Sequence, residues 1–151
     1  MKQLLLQTIA CCAVLLPFSQ LEAKSYGGFK PGKTFTFKVS EKITAKTVGT
    51  KVVKNVPVPA GVPNYKVGQK VKFTIGAKGQ LIAQGMSIPF KSDGGSANVY
   101  NKTVTTGAPK ADTGEVFKSS TNKPTGAALL FTRTTISGFS SSVTSITYTF
   151  E

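Results

Sequence analysis

Histidine and tryptophan are absent from all 151 residues, and the two cysteines, Cys11 and Cys12, both fall inside the hydrophobic run at the start of the chain. Without histidine, the usual general base, the usual zinc ligand and every Ser-His arrangement are excluded. Beyond residue 23 there is no thiol, which removes disulfides, thiolate nucleophiles and thiolate metal sites from that region. Acids are scarce too, with six in the whole chain. Glycosidase chemistry needs two carboxyl groups flanking one bond. The closest pair, Asp112 and Glu115 in Asp112-Thr113-Gly114-Glu115, reads as part of a charge-balancing turn and has too few oxygen ligands nearby for a calcium loop. Lys78-Gly79 and Asp93-Gly94-Gly95 read as glycine turns, since the phosphate-loop spacing does not occur. The expectation is a protein without catalytic residues, metal or small-molecule cofactor.

Met1-Lys2-Gln3 gives a short basic start, and Leu4 to Pro17 is apolar except for Gln7 and Thr8. Ser19-Gln20-Leu21-Glu22-Ala23 follows, with Leu21 and Ala23 where a signal peptidase accepts small or aliphatic side chains. The apolar run is shorter than the roughly 20 residues a membrane-spanning helix needs. Residues 1–23 therefore read as a cleaved signal peptide and 24–151 as one domain, exported to the periplasm or the exterior of a bacterium. Thr8-Ile9-Ala10-Cys11 lies too early in the run to act as a lipoprotein box.

From Thr34 onward the apolar pattern has period two. Phe35, Phe37 and Val39 face one way and Thr34, Thr36, Lys38 and Ser40 the other, and Ile43, Ala45 and Thr47 extend the first set. Val71, Phe73 and Ile75 alternate with Lys70, Lys72 and Thr74; the turn Gly76-Ala77-Lys78-Gly79 then leads to Leu81-Ile82-Ala83, a hairpin pattern. Ala97 to Thr106, Ala127 to Ile136 and Val143 to Phe150 are further strand segments, rich in β-branched and aromatic residues. Pro57, Pro59 and Pro63 mark a connection, and Pro89 makes Met86 to Phe90 an edge or a bulge. The stretches from Lys30 to Val39 and from Lys66 to Ile75 match at Lys, Gly, Phe and β-branched positions, as a glycine turn feeding an alternating strand would produce. About seven strands imply an all-β fold, a single antiparallel sandwich or, alternatively, a small closed barrel.

The formal net charge is +13, carried by eighteen lysines and one arginine. Lys24 to Lys78 holds twelve lysines against the single acid Glu41, so the first half of the domain is the cationic half. A field of that sign concentrates polyanions, and outside a bacterial cytoplasm those are polysaccharide, envelope glycopolymer, anionic lipid or extracellular DNA. Lysine in place of arginine points to diffuse, salt-sensitive association rather than bidentate recognition. Lys38, Lys70 and Lys72 alternate with the apolar residues of two strands and are the candidate cationic face, the alternative being a solvated edge guard. Tyr26, Tyr65 and Tyr100 would serve as stacking platforms if exposed.

The last fourteen residues resemble the end of a chaperone-usher pilin subunit: Phe150 is penultimate, Tyr148 and Ile146 keep its register, and Gly138 stands fourteenth from the end. Thr144, Ser142 and Ser140 depart from the apolar continuation, and the pilin cysteine pair is missing. The resemblance implies a surface-fibre subunit completed by strand donation, with Phe35, Phe37 and Val39 as the donor strand. The same tail is similar to the terminal strand of a small outer-membrane barrel, although Glu151 follows the aromatic. That likeness implies lysine-bearing strands pointing into a lumen.

Overall fold

A computed structural model describes residues 24–104, 110–119 and 122–151; the proposed signal peptide, together with Thr105 and Thr106, lies outside the described residues. Every regular element among them is a strand: β1 (Thr34–Val48), β2 (Lys51–Lys54), β3 (Lys70–Ile75), β4 (Leu81–Ala83), β5 (Met86–Ile88), β6 (Phe90–Asp93), β7 (Ala97–Val104), β8 (Lys110–Lys118), β9 (Pro124–Ser137) and β10 (Ser140–Phe150). They form one antiparallel sheet in the order β5-β4-β3-β1-β10-β9-β8-β7-β6, with β2 added beside β1. The count of ten exceeds the expected seven. The short β2 pairs with the end of β1, and Asp112-Thr113-Gly114-Glu115 lies within β8, in register with β7 and β9, instead of forming a turn.

Pro89 lies between the two outermost strands. Having no N–H to donate, it suits a corner rather than a ladder. The chain passes from β5 at one end of the sheet to β6 at the other through this residue, whose carbonyl accepts from the Asn101 N–H at 3.0 Å and so extends the β6–β7 ladder by one residue. The sheet is thereby nearly closed into a barrel. Opposite walls meet at Gly114, where an added Cβ would lie 2.9 Å from Leu129, 3.3 Å from Ile88 and 3.4 Å from Leu81. The interior is filled with side chains: Phe73, Phe131, Tyr148 and Phe150 are buried, and Phe73 meets Phe150 edge-on at 5.1 Å between ring centroids.

In β1 the alternation changes phase. Phe35, Phe37 and Val39 face the core as expected, but the pairing with β10 shifts between Val39 and Glu41, so Ser40 is a bulge. One extra residue exchanges the two faces of everything downstream. Thr44 is therefore buried while Ile43 is 46% exposed, and the expected inward set of Ile43, Ala45 and Thr47 points outward. The hairpin from β3 to β4 forms as expected. Lys30 to Lys33 and Lys66 to Gln69 fold as equivalent turns, each closed by an i+3 N–H to i carbonyl bond of 3.1 and 3.0 Å, with Gly32 and Gly68 at φ of 83° and 86°. Those positive φ values require glycine and account for the matching sequence stretches.

Both barrel ends are covered. At one end Tyr26-Gly27-Gly28-Phe29 makes a tight turn that buries Phe29 against Phe35. At the other, the proline-containing connection after β2 lies over the mouth. There the Tyr148 hydroxyl donates to the Pro63 carbonyl and the Tyr65 hydroxyl to the Gln84 carbonyl, each at 2.7 Å. Tyr65 and Tyr100 are thus core residues, not stacking platforms, and Tyr26 is half-buried with its ring edge on Phe90.

Candidate functional site

The candidate face is built by the first half of β1 and by β3. Their antiparallel register pairs Lys38 with Lys70 and Thr36 with Lys72. Because Val71, Phe73 and Ile75 are buried, the alternate residues Lys70 and Lys72 point outward, and register partners share a face, so Lys38 joins them. All three are exposed. Like charges directly opposite one another destabilise a sheet pair by a few tenths to about 1 kcal/mol. A face kept for solubility alone gains nothing by placing Lys38 across from Lys70.

The bulge shapes one edge of this face. Lys38 exchanges main-chain hydrogen bonds of 2.8 and 2.9 Å with Glu151, while the Gly68 N–H donates to the Val39 carbonyl and the Val39 N–H to the Gln69 carbonyl. Between them lies a cleft of about 580 Å³ lined by Lys38, Val39, Ser40, Val67, Gly68 and Glu151. Val67 is 63% exposed and gives the cleft an apolar wall. Among the described residues, no group of three or more His, Cys, Asp or Glu side chains could hold a metal ion. The chain matches no protein family, no curated protein and no solved structure. Its reading therefore rests on the geometry.

The phase change at Ser40 creates a second cationic group that the alternation did not reveal. Lys42 pairs in register with Tyr148 and Lys46 with Thr144, which in turn pairs with Arg133, so these cations occupy the inward-facing set at the mouth. Lys42 Nζ lies 5.9 Å from the Tyr148 ring centroid and donates to Asn64 Oδ1 at 2.6 Å; Arg133 donates to the Ala60 carbonyl at 2.7 Å. A polar cleft of about 430 Å³ adjoins Lys42, Thr44, Asn55 and Asn64. Lys42 and Arg133 are largely occupied in holding down the connection over the mouth, whereas Lys46 and Lys102 remain exposed there.

The opposite outer wall is different. The outward positions of β9, β10 and the second half of β1 carry threonine, serine, alanine and aliphatic residues with Glu41, and those of β8 include Thr113 and Glu115. No lysine or arginine occupies an outward position there. A +13 chain thus has no lysine or arginine at the outward positions of β9 and β10, where Lys54 of β2, in register with Ala45, stands at the margin, and has three lysines converging on a small area of β1 and β3.

Proposed function

We propose that this chain is a non-enzymatic, exported basic β domain that associates with anionic polymers of the cell envelope or surrounding matrix: polysaccharide, envelope glycopolymer or extracellular DNA. The observation that carries the reading is the direct opposition of Lys38 and Lys70, with Lys72 beside them, on a molecule whose β9 and β10 carry no outward cation. A polyanion lying across β1 and β3 offsets the repulsion between the paired lysines and places one repeat unit against the cleft at Ser40. Association then follows counterion release and falls steeply with salt. In architecture we read a flattened barrel rather than a sandwich, since Pro89 joins both ends of one sheet.

Two other readings have less support. Strand donation needs a strand free to leave, and β1 is paired with β3 along its first half and with β10 beyond it. A lipid-embedded barrel needs its lysine-bearing strands to face a lumen, but Lys38, Lys70 and Lys72 point away from a packed interior. The test is retention on an anionic resin beside a neutral protein of similar size. Stronger retention that added salt abolishes supports the proposal; equal retention overturns it.

A further inference from the structure

The barrel end capped by Tyr26-Gly27-Gly28-Phe29 brings together three side chains that the polymer-binding reading does not use. Asp93, Asn98 and Lys118 stand on the adjacent strands β6, β7 and β8. Asp93 is the register partner of Asn98, and Lys118, whose N–H donates to the Ser96 carbonyl at 2.9 Å, is diagonal to Asn98 on the same face. Lys118 Nζ lies 2.6 Å from Asp93 Oδ1. It also donates to the Gly27 carbonyl at 3.1 Å, and Asn98 Nδ2 donates to that same carbonyl at 3.1 Å. The amine and the amide nitrogen therefore lie no farther apart than these two contacts laid end to end, and Asn98 Cγ is one bond beyond.

Asp93 stands at the surface, 45% exposed and held ionised by its hydrogen bond to Lys118, while the other two groups lie inside. Asn98 is fully buried and the Lys118 side chain is 7% exposed. Asn98 Oδ1 and the hydroxyl of Tyr100, which is fully buried two residues further along the same face of β7, make no well-formed hydrogen bond, although the Asn98 side chain is close enough to hold the Tyr100 pKa down against the effect of burial. Two unpaired buried polar atoms are costly in a folded core. They are an unused acceptor and an unused donor beside a lysine and a carboxylate.

We propose that Lys118 and Asn98 become joined by an intramolecular amide bond, with Asp93 carrying the proton. The Asp93 carboxylate takes a proton from the Lys118 ammonium, and the neutral Nζ adds to Asn98 Cγ, forming the C–N bond and placing negative charge on Oδ1. The Tyr100 hydroxyl stabilises that charge by donating to it; burial pushes its pKa up to about 12, so it keeps its proton. Asp93 relays a proton from Nζ to Nδ2, the Cγ–Nδ2 bond breaks, and ammonia departs with the remaining proton as ammonium. Atoms and charge balance without oxidant or cofactor. The product ties β7 to β8 covalently in a region that has no cysteine, and it lowers the positive charge of the protein by one.

Mass spectrometry of the purified, folded chain tests this. The expected result is an intact mass about 17 Da below that of the chain with a free lysine and a free asparagine amide. Proteolysis should release a branched peptide linking Lys118 to Asn98, and Lys118→Arg should restore the full mass. The branched peptide is read from the wild-type chain, so the test does not depend on whether the variant folds. An unshifted mass after prolonged incubation, recovery of Lys118 and Asn98 only in separate unmodified peptides, or a loss of 17 Da that survives in Lys118→Arg would each overturn the proposal.

Discussion

At the scale of single residues, the buried tyrosines couple stability to alkaline pH. Burial pushes both Tyr65 and Tyr100 up to about 12 from the ordinary 10.0, and it raises Tyr148 in the same direction. A raised tyrosine pKa means the unfolded chain ionises first. The contribution is therefore fully present below pH 10 and is lost as pH climbs from there through the folded values. Chemical denaturation between pH 8 and pH 12 should show stability constant at first and then declining, with phenolate absorbance appearing together with unfolding; phenolate forming near pH 10 in a chain that stays folded would contradict this. Gly126 gives a second residue-scale prediction. A Cβ added there would lie 2.7 Å from the Phe150 carbonyl oxygen, a backbone atom that cannot swing aside. Gly126→Ala should cost about 1–3 kcal/mol in denaturant unfolding. The inward aromatics were legible from the sequence because alternation marks them directly. The burial of Tyr65 and Tyr100 was not, since a tyrosine reads the same in a core and on a surface until its hydroxyl's partner is known.

At the scale of elements, β1 shows what alternation can and cannot reveal. A period of two says which residues share a face only while the register holds, and Ser40 breaks it with no glycine or proline to mark the place. Nothing in the residue types distinguishes Ser40 from Thr36, so Lys42 and Lys46 could not be assigned to the mouth. Deleting Ser40 removes the extra residue and joins Val39 to Glu41 in an uninterrupted ladder with β10, leaving Thr44 inward and Ile43 and Ala45 outward. The variant should keep a cooperative unfolding transition near the wild-type denaturant midpoint, whereas loss of that transition would mean that Ser40 is not the extra residue in the ladder. β8 was missed for a related reason: Asp112 and Gly114 are turn formers by composition. Gly114 is in fact where β8 comes up against β4 and β5, and an added Cβ there would have to displace the terminal methyls of Leu129, Ile88 and Leu81.

At the scale of the whole molecule, the folding of one nearly closed sheet converts a one-dimensional excess of lysine into a directional one. The sequence placed the excess in the first half of the domain and singled out Lys38, Lys70 and Lys72. It could not place β3 beside β1, because pairing between segments so far apart is a tertiary fact, nor could it show that β9 and β10 present no outward cation. Polyanion affinity measured across a series of salt concentrations tests the proposed face most directly, using the wild type, the triple variant Lys38→Ala, Lys70→Ala and Lys72→Ala, and a control lacking the exposed Lys24, Lys91 and Lys123. The logarithm of affinity should fall linearly with that of salt concentration, and the first variant should flatten the slope by about 2 units while the control changes it little. Equal effects from the two variants, or an affinity that ignores salt, would contradict the account.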